Sequence, residues 1–400
     1  MISVTEAARH VIAHFPAIGS ESCPLVDAHG RVLREDITAD RDHPPYNRVT
    51  MDGIAVSLER GGVARGRFVI EAVQKAGEPQ KSLKDPGGCL EVMTGAALPV
   101  GTDSVIRVED LDIADGAATL RDGTEVSIGQ YVHRQASDLR QGAVIVKSGI
   151  RLLAPQIAVA ASEGMKTLLV ARRPSVAIVS TGDELVDVGE TPLPHQIRRS
   201  NPYAIRAALS QRQLHDIQIH HVNDDLDGLR VLLGEVLQRV EVLVITGGVS
   251  MGKFDFVPEV LRELGVAQVF HKVRQRPGKP LWFGRGPSGQ AVFGLPGNPV
   301  SAVVCAYRYL IPALDIAMGL PSAQESAVLA ETVHFRSPLT YFLPVRLKWS
   351  GSGQLEAVPA PTNGSGDLGA LTHSDGFVEL DAERDDFSAG SVAPVYRWSG

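Results

Sequence analysis

Three short stretches from residue 180 onward in this 400-residue chain could grip an anion. Ser180-Thr181-Gly182-Asp183-Glu184 follows the apolar run Val176-Ala177-Ile178-Val179. Thr246-Gly247-Gly248-Val249-Ser250-Met251-Gly252 follows Val242-Leu243-Val244-Ile245, and the third stretch is Leu295-Pro296-Gly297-Asn298-Pro299. Paired glycines let backbone N–H groups turn onto an anion, and Thr246 and Ser250 add hydroxyl donors. Each stretch alone is an ordinary strand-to-helix turn. Three on one sheet edge point to a phosphate-bearing ligand. None is a Walker loop or a dinucleotide-binding GxGxxG.

Charges gather near these loops. Lys272, Arg274, Arg276 and Lys279 surround Pro277-Gly278, and are expected to converge where fixed cations suit a phosphate or an oxyanion. Asp183, Glu184, Asp224, Asp225 and Asp255 lie in or beside the loops. Carboxylates beside phosphate loops imply a hard cation, most often magnesium with several retained waters. The plainer alternative is a helix cap, open to Asp224 or Asp225. Two stretches in the first half, Thr50-Met51-Asp52-Gly53-Ile54-Ala55 and Met93-Thr94-Gly95-Ala96, read by default as tight turns. The 12 histidines show no HExxH spacing, and His220-His221 read as packing and surface residues. Cys23, Cys89 and Cys305 form no CxxC, so a disulfide framework or zinc knuckle is not expected and a reducing cytoplasm is the natural setting.

These residues need elements to position them. Ser3-Val4-Thr5-Glu6 is a capping box, and Val4, Ala7, Ala8, Val11 and Ile12 recur at helical spacing up to Pro16. From about Val26 to Val132 short β-branched runs are broken by Gly, Pro and Asp, which reads as a β-rich segment. Residues 150–163 return to an Ala-rich helical pattern ending at Gly164, so two helical pieces flank a β piece. From Ser175 the pattern alternates. A strand from Val176 is followed by a helix capped by Ser200 or Asn201 with Pro202 in its first turn. Then come a strand (Ile217 to Val222), a helix (Leu226 to Val240), a strand (Val242 to Ile245), a helix (Val257 to Leu264) and a strand (Val269 to Val273). That alternation predicts a parallel sheet covered on both faces, from about 174 to 318. After Pro321 the helical period is lost, and 322–400 reads as a small all-β domain.

Composition narrows the classes. With 39 Lys and Arg against 46 Asp and Glu the formal net charge is −7, which argues against binding nucleic acid by phosphate neutralisation. Aromatics at 5% disfavour a base-stacking platform. The longest apolar stretch, from Val300, is broken by Arg308 and Asp315 short of a membrane-spanning length, and the N-terminus carries no signal-peptide pattern.

Taken in order, the motifs resemble the molybdopterin molybdenumtransferase family (MoeA and the E domain of gephyrin). They are Pro44-Pro45 before Met51-Asp52-Gly53, Met93-Thr94-Gly95-Ala96, Ser180-Thr181-Gly182-Asp183-Glu184, Gly247-Gly248-Val249-Ser250-Met251-Gly252, Pro277-Gly278-Lys279-Pro280 and Leu295-Pro296-Gly297-Asn298-Pro299-Val300-Ser301. The resemblance covers essentially the whole chain. It implies a multidomain α/β plus β fold. The parts are a discontinuous helical domain (1–43 and 131–173), an inserted β-rich domain (44–130), a Rossmann-like molybdopterin-binding α/β domain (174–318) and a C-terminal β-barrel (322–400). It also implies an elongated, cytoplasmic homodimer whose site forms between the α/β domain of one subunit and the inserted domain of the other. A molybdopterin adenylyltransferase is the implied upstream partner.

The implied reaction inserts molybdate into adenylylated molybdopterin, releasing AMP and molybdenum cofactor with the help of magnesium. By motif match, Asp52 would orient the metal or a water at the pyrophosphate, with Thr94 supporting it, and Asp138 matches an acidic position near the site. Glu184, Asp224 and Asp255 would bind magnesium or pterin amino groups, and Asp183 and Asn298 would touch substrate. Gly247, Gly248 and Ser250 would cradle phosphate. Lys272, Arg276 and Lys279 would hold phosphate or molybdate, with Pro277 and Ser301 lining the anion pocket. The chain departs from the family pattern at Val49, Ile54, Arg199 and Arg276, and the barrel positions aligned with a molybdate-associated Arg and Ser are Thr340 and Ala370. Two rivals share these features: an adenylyltransferase, which normally shows Thr-Gly-Gly-Thr-Gly rather than Thr246-Gly247-Gly248-Val249-Ser250, and a non-catalytic gephyrin-like scaffold.

Overall fold

The computed structural model describes residues 1–61, 66–249, 255–360 and 362–399. Backbone contacts divide the chain into a larger unit (Met1–Glu35, Ser148–Ile157, Thr167–Gly400) and a smaller one (Asp36–Lys147, Ala158–Lys166).

In the larger unit, the N-terminal helix Val4–His14 starts where the capping box predicts. Ser3 accepts from Glu6 N, and Glu6 reaches back to Ser3 N at 2.9 Å. A strand Ser20–Pro24 pairs antiparallel with Thr167–Ala171. The centre of the unit is a six-stranded sheet. Its spatial order is Ile217–Val222, Val176–Thr181, Val242–Thr246, Ala291–Leu295, Trp282–Arg285, Ala267–His271. The first four strands are parallel. The expected all-parallel sheet is corrected here: Trp282–Arg285 runs antiparallel to both neighbours, and Ala267–His271 closes that edge. A tight return between Arg285 and Ala291 leaves no room for a crossover helix, so the chain folds back as a hairpin.

Both faces are covered, because successive residues of each strand point to opposite sides. Ile178, Val244 and Phe293 pack on one side with Val4, Ala7 and Val11 of the first helix and with Leu310 and Leu314. Ala177, Val179, Leu243 and Val292 pack on the other with Leu229, Leu233, Val257 and Leu261. Asp225, not Asp224, caps the helix Leu226–Leu237, accepting from Gly228 N at 2.7 Å. Helix Asn201–Ser210 has Ser200 at its N-cap position without a side-chain cap bond.

The apolar stretch from Val300 is also corrected. It forms one unbroken helix, Pro299–Ala317, long and apolar enough to cross a membrane, but 67% of its most apolar window is buried against the protein, as in a core helix. Its charges are paired rather than disruptive. Arg308 meets Glu379 at 2.6 Å and lies over the rings of Tyr309 and Tyr396, and Asp315 takes Arg151 and Arg212. The residues Ala306–Leu310 widen into a π-turn. Beyond it, strands Glu325–Leu329, Thr340–Trp349, Leu355–Pro359, Gly376–Leu380 and Val392–Arg397 pair in a closed ring of five. Closure removes exposed sheet edges. The pair Gln275–Arg276 adds to this barrel, parallel to Thr340–Tyr341.

The smaller unit holds another six-stranded sheet. Its order is Ser104–Arg107, Gly53–Val56, Cys89–Val92, Arg67–Gln74, Ala117–Leu120, Leu111–Ala114. Ile54, Val56, Phe68, Cys89 and Ile106 form its core. All three cysteines are buried, and burial pushes the thiols of Cys89 and Cys305 up to about 12.

Candidate active site

The sheet order around Val176–Thr181 creates a crevice. The chain leaves this strand for a neighbour on one side, Ile217–Val222, and next enters the sheet on the other side at Val242–Thr246. Ligands bind outside the carboxyl ends of strands at such a reversal. All three glycine-bearing loops lie on that edge, since their strands are parallel neighbours. Together with the turn after Ile217–Val222 they line a cavity of about 440 Å³ that includes Gly182, Glu184, Asp224, Gly247, Gly248 and Asp255. Gly247 is obligatory here. Its φ is +94°, and a Cβ would sit 2.5 Å from Thr181 O. Thr181 donates its hydroxyl to Asp224, and Asp224 N donates to Asp183 Oδ1 at 3.1 Å, so Asp183 braces the loop without lining the cavity. Ser250 lies outside the described residues.

A second cavity, about 530 Å³, opens between the α/β layer and the barrel. Arg276, Pro277, Lys279 and Ser301 line it from one side, and Leu339, Tyr341, Asn363 and Ser365 from the barrel. Asn298, Pro280 and Pro296 border both cavities. Asn298 Nδ2 donates to Ser365 Oγ at 3.0 Å. The expected convergence of four cations holds for two. Arg274 turns away to Glu383 at 3.4 Å, and Lys272, in a left-handed turn at φ +69°, is absent from both linings while its backbone N bonds Leu281 O. Thr340 and Ala370 also line neither cavity. Thr340 is buried at the start of its strand, and Ala370 lies in the short helix Leu368–Leu371.

The Pro277–Gly278 turn rests on a buried amide that sequence reading missed. Gln275, fully buried, donates from Nε2 to Pro277 O at 3.2 Å and to Cys305 Sγ at 3.3 Å, and accepts the hydroxyl of buried Tyr309 from the π-turn. Gly278 has φ +90°, and a Cβ there would lie 2.5 Å from Cys305 Sγ. His271 was missed too. It meets Val249 O at 3.0 Å beneath the double-glycine loop. Burial holds its pKa below the ordinary histidine range; the Lys272 charge acts the same way, while the Val249 bond and Asp255 oppose it.

In the smaller unit, Gly53 pairs with Val92 in an antiparallel register, which sets Asp52 beside the turn after Val92. Asp52 Oδ1 accepts the N–H of Thr94 at 2.6 Å and its hydroxyl at 2.7 Å, and both residues are exposed. Those bonds hold the Asp52 carboxyl below its ordinary range. Asp138, also exposed, meets His133 Nε2 at 2.8 Å. Arg48 can only donate to His133 Nδ1 (3.1 Å), so the ring proton sits on Nε2 and is given to Asp138.

Among the described residues, the one group of three metal-ligating side chains within 4.8 Å of one another is Asp40, His43 and Glu163, in the smaller unit. Glu163 is already satisfied there by Asp40 N, the Ser162 hydroxyl and His43. Glu184, Asp224 and Asp255 form no such cage. Their carboxylate oxygens are the kind of donor a hard cation takes.

Comparison with known proteins places the chain. It is 40% identical to the molybdopterin molybdenumtransferase of Synechocystis sp. over the full length of both. This chain belongs to the molybdopterin molybdenumtransferase family. The Bacillus subtilis molybdopterin molybdenumtransferase is 30% identical, over 98% of this chain and 93% of its own. Family patterns match in order: "MoeA N-terminal region (domain I and II)" at 2–164, "Probable molybdopterin binding domain" at 177–316, and "MoeA C-terminal region (domain IV)" at 326–398. The crystal structure of the molybdopterin biosynthesis moeA protein from Pyrococcus horikoshii superposes with a TM-score of 0.85 at 30% identity, covering both chains fully. The molybdenumtransferase fold, with its α/β layers and closed five-strand barrel, is therefore shared along the whole chain.

Proposed function

We propose that this protein inserts molybdenum into adenylylated molybdopterin, taking molybdate and releasing AMP and molybdenum cofactor. The observation that carries the reading is full-length kinship to molybdopterin molybdenumtransferases, joined to two adjoining cavities built from the family's own loops. The first cavity suits the pyrophosphate. Gly248 offers a backbone N–H donor at the sheet's reversal point, Gly247 shapes the turn while giving its own N–H to Leu295 O, and Ser250 belongs to the same motif. The second suits the oxyanion: Arg276 and Lys279 bring charge and Ser301 a hydroxyl, held beside the dithiolene sulfurs as a positioning task.

Glu184 and Asp255 would hold magnesium, with Asp224 and Asp183 bracing the same loops. The ion would offset charge developing on departing phosphate oxygens. Asp52, kept ionised by Thr94, would orient a water or the metal's hydration shell at the bond that breaks, with Asp138 nearby. All residues lining the two cavities come from the larger unit. By the family resemblance, Asp52 and Thr94 reach the site from a second copy, in a cytoplasmic homodimer supplied by an adenylyltransferase. The test mixes purified protein, adenylylated molybdopterin, magnesium and molybdate and follows AMP. Release of one AMP per cofactor formed supports the reading; silence with pterin binding intact turns it into a scaffold.

A further inference from the structure

Two neighbouring arginines beside the second cavity are held in different ways. Arg274 gives its guanidinium to Glu383 at 3.4 Å. Arg276 is exposed and lines the cavity, and among the described residues no carboxylate pairs with it. Its guanidinium lies over an aromatic face instead: Cζ is 6.0 Å from the centre of the Phe335 ring. Phe335 is itself stacked on Tyr341, with centroids 4.2 Å apart and an interplanar angle of 12°.

Strand pairing builds this stack. Arg276 faces Tyr341 in the parallel register that joins Gln275–Arg276 to the barrel, so the cation and one ring start from adjoining positions. Tyr341 also pairs with Leu380 and packs on the barrel core. Phe335 follows the pairing of Val333–His334 with Asp386–Phe387, and its N–H bonds Asp385 O at 2.8 Å. Both rings are thereby anchored. Burial pushes the Tyr341 hydroxyl up, and the Arg276 charge opposes that rise, as a cation set near the ring must.

The manner of holding decides what the cation can do. A carboxylate cancels much of the charge that an incoming anion meets, as Glu379 does for Arg308, which also lies over two rings. A ring face attracts the cation through its quadrupole and adds no net charge. It also restricts a long side chain whose freedom a ligand would otherwise have to remove. A guanidinium can stack on a ring and keep its fork of N–H donors for an oxyanion, which a Lys ammonium does not reproduce. Arg276 is one of the positions where the chain departs from the family pattern.

We infer that Phe335 is a positioning residue: backed by Tyr341, it holds Arg276 ready and uncompensated for a tetrahedral oxyanion entering this cavity. The inference rests on the insertion reading, in which that anion is molybdate.

The test uses the full chain in two measurements. One is calorimetric titration with molybdate alone; the other is the molybdate dependence of AMP release from adenylylated molybdopterin. Phe335→Leu keeps apolar bulk and removes the ring face. It should weaken molybdate binding and raise KM for molybdate by about three- to fivefold, the upper range for a cation–π contact at an exposed site. The kcat should stay within about twofold of wild type, because the contact serves binding rather than the chemical step. Phe335→Trp should restore both values, since indole offers the stronger face. Should Phe335→Leu fail to fold, a ring-fluorinated phenylalanine at position 335 keeps the shape, weakens the negative face and should lower affinity in the same direction. In an Arg276→Met background, Phe335→Leu should have no further effect, a coupling that general loss of packing does not produce. Unaltered molybdate affinity in both the leucine and the fluorinated variants overturns the inference. So does an equal loss in the Arg276→Met background, or a wild type that binds no molybdate. Arg276-dependent weakening by Phe335→Leu without any AMP release by wild type would instead defeat the insertion reading and leave this inference standing.

Discussion

Asp52 Oδ1 takes two bonds from one residue, the backbone N–H and the hydroxyl of Thr94. The first survives any substitution at 94 except proline; the second does not. Thr94→Ala should therefore raise the Asp52 carboxyl part of the way back toward its ordinary value, read by carbon-detected NMR titration. A lowered carboxylate contributes stability that is full above its unfolded value and is lost as pH falls through the folded one, so the deficit of the variant is present at neutral pH and vanishes in acid. Asp52→Asn should cut AMP release at least about a hundredfold if the carboxylate works on a proton or a water. A wild-type rate in Asp52→Asn would remove it from the catalytic set.

His271 gives a pH dependence of opposite chemistry and the same direction. Its depressed pKa means the folded protein binds that proton less readily than the unfolded chain does. Stability from this site is full above the ordinary histidine value of 6.5 and is lost as pH falls from there toward the folded value. His271→Gln keeps a donor for Val249 and should flatten this part of the stability profile in urea titrations between about pH 8 and pH 5. An unchanged slope would assign the proton uptake elsewhere.

Gln275 joins the anion turn to the π-turn of the long core helix. Gln275→Leu strands the Tyr309 hydroxyl and Pro277 O in a buried place, and should destabilise by roughly 2–4 kcal/mol, about 1–2 for each orphaned group. Tyr309→Phe removes one bond and should cost about half as much. Both should raise KM for molybdate more than they lower kcat, because the turn carries Arg276 and Lys279.

The contact between Gly278 and Cys305 can be tested by coupling. Gly278→Ala adds a Cβ in a left-handed conformation against the thiol, a loss of roughly 2–4 kcal/mol in chemical denaturation. Cys305→Ala makes room, so the double variant should recover about 0.5–3 kcal/mol relative to the sum of the singles. Strict additivity would show that backbone strain alone sets the effect.

The loops were legible because glycine and proline mark strand ends whatever lies around them. Asp225 was legible as one of two caps because capping is local. Other features were hidden by long-range contacts. Trp282–Arg285 has no alternation that sets it apart from coil, and its identity as a strand depends on Ala291–Leu295. Arg308 and Asp315 look like breaks in an apolar helix until Glu379 and the Arg151–Arg212 pair are in place. Gln275 sits in a run of cations, and nothing local separates it from a solvated neighbour.

The residues Gln275–Arg276 hydrogen-bond to Thr340–Tyr341 of the barrel, a few positions after the chain leaves the edge of the α/β sheet. The C-terminal module is thus no detachable accessory. Cutting the chain ahead of it would strip the backbone partner from the very turn that presents Arg276 and Lys279, so a truncated protein would forfeit oxyanion capture even with every upstream loop intact.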